Sequence, residues 1–328
     1  MAGMGKRMRP HTLTTPKPLL PIAGKPIVQR LVEDIAELSH EPIEEIAFII
    51  GDFGEETEQH LLAIAKELGA KGTICYQKEA LGTAHAILCA KDALKGKVIV
   101  AFADTLFKAN FKLKDDQDGV LWVQKIENPE QFGVVQLDAK GHIVEFIEKP
   151  KAFVSDLAMI GIYYFKDGEN LAKELQYLID NNVITGGEYQ LPDALRNMTR
   201  KGIEFIPGQV DDWMDCGNKN ATVQTNSSVL KYSSGKNLIS DDLTSVNSIV
   251  IPPCYIGKGV RLENCVVGPG VSIGDNTQLK SCIVKDSIIM EATILEHLSL
   301  ENSMVGAHVE YLNKPLELSM GSYTTYGK

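Results

Sequence analysis

Apolar residues recur at helical spacing through Ile27, Val28, Leu31, Val32, Ile35 and Leu38, directly after Pro26, whose fixed φ suits a first helical turn. The pattern then shortens. Residues 46–50 form a continuous apolar run closed by Gly51-Asp52, residues 57–68 return to helical spacing and stop at Gly69, and residues 73–77 read as a second strand. The segment after Gly82 is helical again, and the run 98–102 ends just before Asp104. This alternation predicts an α/β domain with a mixed, mostly parallel sheet buried on both faces. From Gly119 the character changes, because strands over 119–126, 134–137, 143–147 and 159–165 follow one another with little helix between them. That order predicts an antiparallel extension. Helices over 171–179 and 189–198, a strand over 203–206 and a helix after Asn218 complete a first domain assigned to residues 1–231, with a linker over 232–246.

Beyond the linker the period alters again. Ile256-Gly-Lys-Gly-Val260 returns as Ile273-Gly-Asp-Asn-Thr277, and Leu262-Glu-Asn-Cys-Val-Val267 returns as Leu279-Lys-Ser-Cys-Ile-Val284, each 17 residues on. A third copy is read at Leu300-Glu-Asn-Ser-Met-Val305, 21 residues further, with the extra residues forming a small loop. A hexapeptide period of this kind predicts a short left-handed parallel β-helix of about three coils over 247–312, followed by a tail over 313–328. So few coils leave open ends to be covered, which points to a homo-oligomer built through this domain.

Composition narrows the classes of function. No window approaches the roughly 18 apolar residues of a membrane span and no apolar signal core follows Met1, so no membrane partner and a cytoplasmic location are expected. The six cysteines contain no C-x-x-C pair and read as reduced, buried thiols. Acidic residues outnumber basic ones by 43 to 33, a net charge of -10 that argues against a nucleic-acid partner. In such a chain a local group of cations is informative. One occurs at the N-terminus, where Gly3 and Gly5 are followed by Arg7, Arg9, Lys17 and Lys25, a composition suited to a phosphate-rich ligand.

Further patches follow in order: Gln77-Lys-Glu-Ala-Leu-Gly-Thr-Ala-His-Ala86, Phe102-Ala-Asp-Thr105, Phe132-Gly-Val-Val135, Glu148-Lys-Pro150, Gly161-Ile-Tyr-Tyr164, Gly187-Glu-Tyr189 with Asp193, and Trp213-Met-Asp-Cys-Gly217. Together with the glycine and cation segment, these patches resemble the sugar-1-phosphate nucleotidyltransferases, a family that includes glucose-1-phosphate thymidylyltransferases, UTP-glucose-1-phosphate uridylyltransferases and mannose-1-phosphate guanylyltransferases. The resemblance implies a Rossmann-like catalytic domain, Mg²⁺ as cofactor, and a nucleoside triphosphate and a sugar 1-phosphate as substrates. It places Ala2, Gly3, Gly5, Lys6, Arg7, Lys17, Gln77, Gly82 and Thr83 around the nucleotide, and Gly133, Glu148, Lys149 and Gly161 around the sugar phosphate, with Glu188 and Asp193 serving the same pocket less directly. Asp104 and Asp215 become the metal ligands, and Arg7, Lys17, Asp104, Lys149 and Asp215 the catalytic set.

Gln77 followed by Gly82-Thr83 resembles the version of the pattern that reads a pyrimidine, which favours dTTP or UTP with glucose 1-phosphate. The other readings are a mannose-1-phosphate guanylyltransferase, a non-catalytic regulatory paralogue, or an added acetyltransferase activity in the β-helix. The histidines show no ligand spacing and receive no catalytic role. Glu148 and Lys149 are consecutive in an extended segment, so their side chains are expected to diverge. Two departures from the family pattern stand out: Lys6 occupies a position where a small hydroxyl residue is common, and only Met1 and Ala2 precede Gly3 where a short apolar strand is expected. The sheet is therefore expected to begin one strand late.

Overall fold

Leu20, Ile27, Leu31 and Ile35 are buried while Lys25 and Glu33 pair at the surface, so the stripe read from the sequence is the packed side of α1 (Ile27–Leu38). The protein is described by a computed structural model that covers all residues except 1, 2, 4, 40, 110–112, 114, 115 and 326–328. Two compact units emerge from the packing. The first comprises Met1–Leu20 and Lys25–Asn218, and the second Pro21–Gly24 and Lys219–Lys328.

In the first unit β1 (Glu45–Ile50) and β2 (Lys71–Tyr76) pair in parallel around α2 (Glu55–Glu67), as a β-α-β crossover requires. Then follow α3 (Thr83–Leu88), β3 (Val98–Ala101), β4 (Thr105–Lys108), β5 (Gly119–Lys125), β6 (Gly133–Leu137), β7 (Ile143–Glu148) and β8 (Leu157–Phe165). The unit closes with α4 (Gly168–Asp180), α5 (Leu191–Arg200), β9 (Phe205–Gln209) and β10 (Asp212–Asp215). Asp167 starts α4 by accepting a 2.8 Å hydrogen bond from the Asn170 amide.

A six-stranded sheet runs in the order β3-β8-β5-β9-β7-β6. Its β5–β9 pair is parallel and the others antiparallel, which realises the extension expected from the run of strands. Leu121, Phe146, Phe165, Leu175, Leu195 and Phe205 form its core with α4 and α5, and Phe205 meets both Phe146 and Phe165 edge to face. β1–β2 and the antiparallel β4–β10 pair stand as separate two-stranded ladders. Among the described residues most strand pairs are parallel, because all those of the solenoid are.

The second unit is a parallel β-helix. One face stacks Thr244–Val246, Arg261–Glu263, Gln278–Lys280, Ile294–Glu296 and Glu310–Leu312, and each of the other two faces stacks four strands. That makes four coils and the opening strand of a fifth, one coil more than the repeats suggested. Val267, Val284, Leu262, Leu279, Ile273 and Ile289 fill its interior as stacked apolar ladders.

The register of the third copy also differs from the sequence reading. Leu279 pairs with Leu295 and Val284 with Leu300, a coil of 16 residues, so Leu300 continues the Val284 ladder and no loop of four residues is inserted. One residue is dropped after Val284, where Lys285-Asp286 follows the wider Gly268-Pro269-Gly270 turn of the coil before. α6 (Lys219–Tyr232), assigned to the first domain from the sequence, packs in the second unit. Its buried Asn226 donates to the Gly270 carbonyl at 3.2 Å and accepts from Ser272 Oγ at 2.7 Å, and Ser227 meets Asp286 at 3.1 Å. These polar groups give α6 a weak amphipathic signal, and they are buried because the solenoid surface satisfies them.

Candidate active site

β4 and β10 run antiparallel with Thr105 opposite Asp215, and the Cys216 amide donates to the Asp104 carbonyl at 2.9 Å. Asp104 and Asp215 therefore sit side by side at one end of the same ladder. Lys17 Nζ binds Asp104 Oδ2 at 2.8 Å from a side chain that is only 10% exposed. Gly217 gives its amide to Asp215 Oδ1 at 2.9 Å, and a Cβ at Gly217 would lie 3.0 Å from both Asp215 carboxylate oxygens and 3.4 Å from an Arg7 guanidinium nitrogen. The missing side chain is what lets Arg7 approach the carboxylate.

Gly5 bends the N-terminal segment toward this group. Its φ of 55° is left-handed, its carbonyl accepts from Thr12 Oγ1 at 2.8 Å, and an added Cβ would meet Thr12 and the Lys17 side chain. Two cations and two carboxylates thus converge from three parts of the sequence. Burial pushes the Asp215 carboxyl above its ordinary range and the neighbouring Asp104 charge pushes the same way, opposed by the Gly217 amide, Lys17 and Arg7. Two crowded carboxylates of this kind fit a small divalent cation, since Mg²⁺ takes one or two carboxylates and completes its shell with water and phosphate oxygens. No group of three or more metal-ligating side chains occurs among the described residues.

A second group forms where β2 ends. Gln77 Nε2 lies 3.0 Å from the Gly82 carbonyl oxygen and 3.1 Å from His85 Nδ1. Gly82 has φ 112°, and a Cβ there would stand 2.4 Å from the Tyr189 carbonyl, so only glycine fits this turn. Thr83 Oγ1 accepts from the Leu191 amide at 2.9 Å, which fastens the start of α3 to α5. Glu188 belongs beside this turn, its Cβ within 2.9 Å of the position a Gly82 Cβ would take.

The third group lies on β6, β7 and β8. Gly133 pairs with Glu148 across the β6–β7 ladder, and a Cβ at Gly133 would come within 2.8 Å of the Glu148 carboxylate. Gly161, at φ 86°, sits in the irregular stretch of β8 and accepts from the Phe102 amide at 2.9 Å, two residues before Asp104. The expected divergence of Glu148 and Lys149 does not occur. Lys149 leaves the strand at φ 44°, so the extended alternation ends at Glu148 and the Lys149 ammonium comes within 3.8 Å of its neighbour's carboxylate. Trp213, on the ladder that carries the two aspartates, donates to Thr105 Oγ1 at 2.8 Å and meets Phe132 edge to face at 4.8 Å. Phe132 accepts from the Lys149 amide, so one aromatic pair ties the carboxylate ladder to the third group.

Several residues quoted from the sequence stand elsewhere. Ala2 lies outside the described residues. Gly3 and Lys6 are exposed, and Lys25 is held by Glu33 at 2.8 Å. Asp193 is buried and bound by Arg196, which also holds Glu145 and the Phe146 carbonyl, so it braces α5 against β7 and is not brought to Glu148. The signal for that role was Arg196 three residues on, a helical i,i+3 partner. Trp213 and His85 stand out in the sequence only as parts of motifs, and each makes a specific polar contact.

Cations and paired carboxylates at strand ends of an α/β unit that also carries a glycine turn and a sheet-borne acid–lysine pair suit a ligand rich in phosphate. The comparisons give the family. The family described as nucleotidyl transferase matches residues 1–232. The bifunctional protein GlmU of Methanococcus vannielii is 30% identical over 335 residues, 94% of this chain and 77% of GlmU. The glucose-1-phosphate thymidylyltransferase of Streptomyces griseus is 26% identical over 340 residues, 95% of this chain and 92% of that protein. A solved structure of UDP-glucose pyrophosphorylase complexed with UDP-glucose shares the fold, with a TM-score of 0.57 at 23% identity over 70% of this chain and 96% of that one. This chain belongs to the nucleotidyl transferase family, among the enzymes that act on sugar 1-phosphates. No helix among the described residues is long and apolar enough to cross a membrane.

Proposed function

We propose that the chain transfers a nucleotidyl group from dTTP or UTP to glucose 1-phosphate, with Mg²⁺ held by Asp104 and Asp215. The observation that supports this most is the convergence of Arg7 and Lys17 on the two aspartates. A phosphate oxygen of the sugar phosphate attacks the α-phosphorus, the bond from that phosphorus to the bridging oxygen breaks, and pyrophosphate leaves with its electron pair. Two anions approach and a third separates, so fixed positive charge and alignment supply most of the rate and no protein nucleophile is needed. Arg7 and Lys17 neutralise the triphosphate and the departing pyrophosphate. Mg²⁺, when bound, adds charge neutralisation at the phosphate oxygens.

Lys149, freed from the strand by its left-handed backbone, meets the sugar phosphate, while Glu148 accepts hydrogen bonds from sugar hydroxyls beside the bare backbone of Gly133. Gln77 and the Gly82 turn meet the base, with Thr83 fastening that turn. Initial rates for dTTP, UTP, GTP, ATP and CTP against glucose-, mannose-, galactose- and N-acetylglucosamine 1-phosphate test the substrate pair. The expected maximum lies at dTTP or UTP with glucose 1-phosphate. A maximum at GTP with mannose 1-phosphate would replace this reading with a guanylyltransferase.

The β-helix is read as an assembly element. Ile249 and Ile283 are 62% and 57% exposed, and they flank the half-buried Val266 in one stacked row on its surface. An apolar row of this kind is covered when two copies meet. Light scattering on the full chain is expected to give a multiple of 36.0 kDa, and a monomer mass would remove this role.

A further inference from the structure

His85 lies in the first turn of α3, and its ring faces Gln77 at 3.1 Å through Nδ1. The orientation of the Gln77 amide is fixed by chemistry at its other contact. A carbonyl oxygen only accepts, so the end of Gln77 that faces the Gly82 carbonyl at 3.0 Å is its NH₂ group. One amide hydrogen goes to Gly82 and the other to His85, which accepts at Nδ1 and carries its own proton on Nε2. Both donors of Gln77 are then engaged inside the protein. The Oε1 atom, an acceptor alone, has no hydrogen-bond partner among the described residues.

We propose that His85 is a specificity-determining positioning residue that locks the Gln77 amide with its oxygen presented to the base, so that the site takes a pyrimidine with a ring N–H and rejects one without. Uracil and thymine carry a proton on N3. Cytosine has a lone pair there, which would face Oε1 with no hydrogen between them. This rests on the reading that Gln77 meets the base. Gln77 alone could rotate to present its NH₂ group, and His85 together with Gly82 is what opposes the rotation.

The test compares UTP with CTP, each with glucose 1-phosphate and Mg²⁺, in the full chain and in the variants His85→Leu, His85→Asn, Gln77→Leu and the Gln77→Leu/His85→Leu double variant, with the melting temperature of each. The quantity read is the ratio of kcat/KM for UTP to that for CTP. His85→Leu is expected to lower the ratio about tenfold, mainly through KM, as loss of one hydrogen bond that holds a polar group in place would do. His85→Asn keeps an acceptor near the position of Nδ1 and is expected to restore most of it. In the Gln77→Leu background His85→Leu is expected to change nothing further, because it acts through the amide. An unchanged ratio in His85→Leu, with a lowered one in Gln77→Leu, would overturn the role of His85. An equal fall in the presence and absence of Gln77 would make His85 a packing residue. A ratio untouched by Gln77→Leu would overturn the reading of Gln77 itself, and the proposal with it.

Discussion

Asp215→Asn is expected to lower turnover by at least about 10³-fold while leaving the fold intact. The substitution keeps the shape of the side chain and an oxygen able to accept the Gly217 amide, now at 2.9 Å, and removes only the charge. The consequence for stability has a definite sign. A carboxyl whose pKa is raised by folding contributes stability that is present below the unfolded pKa and lost as pH rises through the folded one. The charged form of Asp215 therefore works against the folded state, and asparagine relieves that opposition together with the repulsion from Asp104. The melting temperature of the variant is expected to equal or exceed that of the parent, as followed by circular dichroism. Asp104→Asn is expected to be as damaging to turnover, for the same loss of charge, with the added loss of the 2.8 Å pair to Lys17. Near-normal turnover of either variant at saturating Mg²⁺ would remove that aspartate from the proposed metal site.

Arg7→Ala is expected to lower kcat by about 10² to 10³-fold, with a smaller change in KM for the nucleotide. Arg7 is exposed, and its guanidinium stands within reach of Asp215 through the gap left by Gly217, so its loss leaves no buried cavity. An interaction that strengthens as charge builds on the leaving pyrophosphate appears in kcat, whereas one equally strong toward bound nucleotide appears only in KM. Lys17→Ala is expected to have a comparable kinetic effect and a larger structural one, since it leaves Asp104 unpaired beside Asp215. Steady-state kinetics with the triphosphate varied separate the two. A rise in KM alone for Arg7→Ala would assign it to ground-state binding.

Much of the fold was legible because burial imposes a period. α1, β1, α2 and β2 lie where the apolar spacing places them, and the run of strands after Gly119 became the antiparallel part of the main sheet. The solenoid announced itself through stacked identical positions such as Leu262 and Leu279. What escaped depends on pairing that spacing does not encode. Leu300 resembles Leu279 in its local pattern but stacks on Val284, because a coil shortens by a residue at a turn when the apolar ladder can continue. α6 hides its place in the second unit behind Asn226 and Ser227, whose polarity is matched by the solenoid surface.

The candidate site shows the same division. Asp104 and Asp215 could be singled out by their motifs, and their adjacency comes from the register of β4 against β10. The turn at Lys149 was invisible because a left-handed residue other than glycine leaves no compositional mark, and Glu148 and Lys149 converge for that reason. His85 was passed over because a lone histidine in a short helix has no spacing to read, and only its distance to Gln77 gives it a task.

The most direct measurement is the stoichiometry of products from the full chain supplied with UTP or dTTP, glucose 1-phosphate and Mg²⁺. Pyrophosphate and nucleoside diphosphate sugar are expected to form in equal amounts, only when both substrates are present, and to disappear together in Asp215→Asn. Pyrophosphate released without the sugar phosphate, or no product from any nucleotide and sugar phosphate pair, would contradict nucleotidyl transfer at the Arg7–Lys17–Asp104–Asp215 cluster.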